Sequence, residues 1–132
     1  MTRGELIGTA AVAMTEAFVG PRYARLRIVH SPDSLASRIA FTPADAERYA
    51  IATRLVSDRA TIEDLAGAID DARPVHADGT VDVRWNLTFS EGPGGSVRHV
   101  SIDRFGRRAL IDGVAANMDG ADLVMRLKRA VT

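Results

Sequence analysis

The chain has 132 residues, with 17 basic against 17 acidic and a hydrophobic share of 46%, which reads as one soluble globular domain over residues 1–132. Balanced charge leaves no global field for a polyanion or an anionic lipid surface, and an aromatic content of 5% offers few stacking platforms for single-stranded nucleic acid. Cysteine is absent, which removes disulfides, thiolate chemistry and cysteine-based zinc sites. The expectation is therefore no nucleic acid and no membrane among the partners, and no cofactor.

Leu6, Ile7, Ala10, Ala11, Met14, Ala17 and Phe18 recur at helical spacing, and Gly20-Pro21 supplies a stop, which predicts a peripheral helix within residues 1–20. Arg3 ahead of the apolar run is what a targeting segment would carry. Glu5, Glu16 and the modest hydrophobicity favour the helix instead, and with it a cytoplasmic over a secreted setting. Tyr23 to His30 then alternates, with Ala24, Leu26 and Ile28 on one face and Tyr23, Arg25 and Arg27 on the other, a half-buried strand. Leu35 to Phe41 fits a short strand or a helical turn equally.

Thr42-Pro43 is a helix N-terminus, because threonine can cap an orphan N–H and proline has none to lose. The stripe Ala46, Tyr49, Ala50, Ala52, Thr53 and Val56 carries that helix to Ser57. A second helix is predicted from Thr61, through Leu65, Ala66, Ala68 and Ile69, to Arg73 before Pro74. The two form a helical hairpin, or at least a helical corner.

Beyond Asp78-Gly79 the period changes to two. Val81, Val83, Trp85, Leu87 and Phe89 alternate with Asp82, Arg84, Asn86, Thr88 and Ser90, which predicts one long strand with an apolar and a polar face. Glu91 to Gly95 is a connector, Val97 to Asp103 a second strand, and Arg108 to Asp112 a third, together an antiparallel meander. Gly113 to Met118 is irregular or a short continuation. A last helix carries Leu123, Val124, Leu127 and Val131, with Arg126, Lys128 and Arg129 placed favourably near its C-terminus.

The predicted fold class is thus α+β, a mostly antiparallel sheet of about four strands with helices on one face, in the order α-β-α-α-β-β-β-α. In element order alone, a helical hairpin followed by an antiparallel sheet resembles the repeat unit of secreted β-lactamase-inhibitor-type domains. That resemblance covers element order alone and carries neither residues nor activity to this chain.

No catalytic motif stands out. His99, Ser101 and Asp103 have the residue types of a hydrolase triad, but same-face neighbours on a strand stand roughly 6.5–7 Å apart, too far for direct proton transfer. The histidines at 30, 76 and 99 lack metal-ligand spacing, and the glycines around Pro93 join two strands rather than a strand and a helix. Asp82, Asp103 and Asp112 would serve as general bases only in a pocket, and Asp70-Asp71 reads as a solvated pair.

The most informative constellation is the polar sheet face. If the first strand joins the meander, the candidate residues Arg25, Arg27, Arg84, Asn86, His99, Ser101 and Asp103 share one surface with Asp82 and Thr88. Arginines on a rigid scaffold suit a protein partner or a small anionic ligand through planar, bidentate bonds. Three functions follow as expectations: a non-catalytic binding or inhibitory module, a pocket-containing enzyme or ligand-binding protein of the cone-shaped isomerase or hydrolase type, and a structural assembly subunit docking through its first helix.

Overall fold

The structure is a computed structural model of the chain that describes residues 16–32 and 40–132. Its strands are β1 (Arg25–His30), β2 (Ala52–Val56), β3 (Val75–His76), β4 (Trp85–Ser90), β5 (Val97–Ile102), β6 (Arg108–Ile111) and β7 (Val114–Asn117). The helices are α1 (Pro43–Arg48), α2 (Arg59–Asp71) and α3 (Ala121–Val131). All seven strands join one antiparallel sheet in the order β2-β1-β4-β5-β6-β7-β3. The α+β class and the meander β4-β5-β6 agree with the sequence. The number of strands is corrected from about four to seven, and the order among the described residues to β-α-β-α-β-β-β-β-β-α.

Besides β7, which orders the stretch after Gly113 by pairing with β6 on one side and the short β3 on the other, three local differences stand out. The helix predicted from Thr42 to Ser57 ends at Arg48, and Ala52 to Val56 instead pairs with β1 from Val56 opposite Leu26 to Ala52 opposite His30. An edge strand leaves most of its side chains in water, so it has no buried alternation to advertise. This strand also separates the two helices of the predicted hairpin, which removes the element order on which the inhibitor-type resemblance rested. The next helix starts earlier than predicted, with Asp58 rather than Thr61 as its cap; Asp58 Oδ2 accepts the Thr61 N–H at 3.0 Å. Thr42 caps α1 as expected, in a reciprocal box with Asp45.

The third difference lies at Arg84. Its backbone N–H donates to the Ile102 carbonyl at 2.8 Å, although Ile102 already faces Trp85 across the sheet. Two residues therefore oppose one, which is the geometry of a β-bulge, and a bulge shifts the alternation by one residue. Trp85, Leu87 and Phe89 enter the main core, whereas Val81 and Val83 form a smaller apolar cluster with Ala46. The predicted single strand with one apolar face is thus two segments that feed opposite faces.

The main core joins Trp85, Leu87, Phe89, Val100 and Ile102 to Leu26 and Ile28 of β1, to Ile62, Leu65 and Ile69 of α2, and to Leu123 and Leu127 of α3. Helices α2 and α3 cover this face and contact each other. Helix α1 lies on the opposite face, where Ala46 packs into the smaller cluster, so the helices do not all cover one side as predicted.

The N-terminal helix prediction lies outside the described residues up to residue 15. Ala17 and Phe18, at its predicted end, are non-helical and tied down from two sides. Arg98 donates to the carbonyls of Glu16 and Ala17, both at 3.0 Å, and stacks over the Phe18 ring. Asp70 accepts the N–H groups of Phe18 at 2.7 Å and Val19 at 2.9 Å. Asp70 is therefore an anchor for this segment, a correction to the solvated pair read from Asp70-Asp71. The segment from Leu35, left open between strand and helix, falls outside the described residues up to residue 39.

Candidate functional site

The face opposite α2 and α3 is built in rows, since antiparallel pairing sets side chains side by side across the strands. One row runs Thr53, Val29, Asn86, Ser101, Leu110, Ala115 from β2 to β7. The adjacent row runs Leu55, Arg27, Thr88, His99. Helix α1 sits over the first row and leaves the second open.

Hydrogen bonds hold that roof. Asn86 Nδ2 donates to the Pro43 carbonyl and to Glu47 Oε2, each at 2.9 Å, while Asn86 Oδ1 accepts the Ser101 hydroxyl at 2.7 Å. Glu47 also receives both terminal nitrogens of Arg27, at 2.8 and 3.1 Å, the bidentate fork that a planar guanidinium favours. The Arg27 fork, helped by Asn86, holds the Glu47 carboxyl below its ordinary range even though partial burial works the other way. A carboxylate so stabilised is a poor proton acceptor, so Glu47 serves to hold α1 rather than as a general base.

Beside α1 the face opens into a groove of about 480 Å³, lined by Arg27, Asn86, Thr88, His99, Ser101 and Leu110 among others. Thr88 Oγ1 lies 3.4 Å from His99 Nδ1. The His99 backbone N–H donates to Asp112 Oδ1, and Arg98 pairs with the other oxygen of the same carboxylate. Asp112 thereby ties the outer end of β5 to the turn after β6.

The seven residues singled out in the sequence divide into three groups. Arg27, Asn86, His99 and Ser101 come together at the groove, and Arg25 lies on the same face at the exposed end of β1. Arg84 does not share that face. The bulge carries it into the protein, where it is 1% exposed, donates to the Pro32 carbonyl at 2.7 Å and to Asp82 Oδ2 at 3.0 Å, and lies over the Phe41 ring. Burial pushes the Asp82 carboxyl up, but the Phe41 N–H, Arg84 and Arg104 outweigh it, and the net effect is downward. Asp103 sits in the β5–β6 turn, where Oδ1 accepts the Arg107 N–H at 2.9 Å, a structural task rather than a place in the groove.

Glu47 and Pro43 are the site residues that sequence reasoning missed. Nothing in a six-residue helix with a single buried side chain marks which face of a sheet it will cover. The Ser101 hydroxyl donates to Asn86, so its proton is directed away from a triad-like role with His99. Among the described residues no group of three or more His, Cys, Asp or Glu could hold a metal ion, and no helix is long and apolar enough to cross a membrane. Protein-family models, curated proteins and solved structures yield no match to this chain.

Proposed function

We propose that the protein is a small binding module that seats a segment of a partner protein in the groove beside α1. The observation that carries this reading is the half-covered sheet face. One row is sealed under α1 by Asn86 and Glu47, and the neighbouring row is left open with donors and acceptors at Thr88 and His99 beside the apolar Leu110. A concave site with a few fixed polar groups beside apolar surface matches what binding sites require. Of the two ligand classes expected from the sequence, a protein segment fits better than a small anion. Arg27 is already neutralised by Glu47, and Arg84 is turned into the interior.

Filling the groove tests this. Thr88→Trp places an indole over the open row, between Arg27 and His99, while the Asn86 bonds to Pro43 and Glu47 stay in the neighbouring row. A partner retained by the wild-type chain from its native cell extract is expected to be lost with Thr88→Trp at an unchanged melting temperature. Equal retention of every wild-type partner by Thr88→Trp contradicts the reading.

A further inference from the structure

We propose that the outer edge of β2 is a second binding site, which takes an acidic, extended segment of a partner protein as an added strand. The two ends of the sheet are unlike. At one end, β3 has two residues and follows Pro74, which leaves almost no edge to extend. At the other, β2 presents five residues, carries no proline or lysine, and exposes Leu55 at 62%. Among the described residues β2 has a neighbour on one side only.

Hydrogen-bond alternation shows which groups face outward. Ser31 donates to the Arg84 carbonyl, so by alternation Val29 and Arg27 also turn toward β4, while His30, Ile28 and Leu26 turn toward β2. The His30 carbonyl indeed accepts from Ile51. The partners Ala52, Arg54 and Val56 therefore point their backbone groups inward. Thr53 and Leu55 point theirs outward, which offers two N–H and two C=O groups to an incoming strand.

Charge decides the occupant. Beside this edge, on the side of α3, a cavity of about 500 Å³ is lined by Arg54, Leu55, Asp58, Thr61 and Arg129 among others. Asp58 is committed to the N–H and hydroxyl of Thr61. The described ion pairs of this side use Arg98 and Arg126 and leave Arg54 and Arg129 facing the cavity. An added strand places its alternate side chains on that side, where a carboxylate meets both guanidinium groups. Its other side chains lie beside Thr53 and the exposed Leu55, which suits small apolar residues.

A fluorescein-labelled peptide of about eight residues, a typical strand length, alternating valine with aspartate, serves as the probe in fluorescence anisotropy. Saturable binding is expected, weakened roughly tenfold by Arg54→Ala with Arg129→Ala and by asparagine in place of aspartate. Leu55→Pro should abolish it at a near wild-type melting temperature, because the N–H it deletes does not bond to β1. A peptide N-methylated at alternate residues should also fail to bind, which tests the same pairing with the protein unaltered. Absent binding, binding indifferent to N-methylation, or equal binding of the asparagine peptide overturns the proposal. So does a wild-type dimer dispersed by Leu55→Pro, which would assign the edge to a second copy.

Discussion

Removing the carboxylate that holds α1 to the sheet has a calculable consequence. Arg27 and Glu47 side chains are 44% and 38% exposed, so their ion pair is screened by water and contributes about 0.5–1 kcal/mol despite its bidentate geometry. The bond from Asn86 to Glu47 adds roughly 1 kcal/mol. Glu47→Ala should therefore destabilise the fold by about 1.5–2 kcal/mol, and Arg27→Ala by about 0.5–1 kcal/mol. The double variant should show a coupling of about 0.5–1 kcal/mol. Urea denaturation followed by the fluorescence of Trp85, the sole tryptophan and fully buried, reads all four stabilities. The sign with pH is fixed. Glu47 has a folded pKa below its ordinary value, so its contribution is complete above the unfolded value of about 4.3 and is lost as pH falls through the folded one. A coupling near zero at neutral pH, or one unchanged at about pH 3, would refute the role given to Glu47.

Other consequences concern the scaffold. Gly106 has φ 74°, and a Cβ there would lie 2.3 Å from the Gly120 carbonyl oxygen, so Gly106→Ala should cost about 2–4 kcal/mol in a denaturant titration; a loss under about 0.5 kcal/mol contradicts that packing. Asp70→Ala removes the acceptor for the Phe18 and Val19 N–H groups. It should lower stability by about 1–2 kcal/mol and speed protease cleavage near Val19, and unchanged cleavage would count against the anchor. Asp58→Ala should lower the melting temperature as a lost helix cap, whereas Thr61→Val, which keeps the backbone N–H bonded to Asp58, should lower it less; the reverse ranking in thermal unfolding would return the cap to Thr61.

Much of the scaffold was legible in the sequence because its signals are local. The alternation from Trp85 to Phe89 and the helical spacing through Leu65 and Ile69 survive as β4 and α2. β2 was hidden because Ala46, Tyr49, Ala52, Thr53 and Val56 share a helical period by coincidence, and pairing with β1, a non-local interaction, decides the outcome. The bulge at Arg84 was equally silent. One extra residue moves Val81 and Val83 to the other face and buries Arg84, and no pattern in the alternating run announces it. Four of the seven candidate residues nevertheless meet at the groove, since Arg27, Asn86, His99 and Ser101 lie on regular strands where a period of two holds. Arg84 and Asp103 depart where regularity ends, at a bulge and a turn.

Site-specific photocrosslinking reads out what occupies the groove. A benzophenone side chain replacing Thr88, on the open row, is expected to capture a discrete partner in native cell extract. The same group replacing Met125, exposed on the outer side of α3, should not capture that species. Capture of the same species from both positions, or from Met125 alone, would contradict the assignment of binding to the half-covered sheet face.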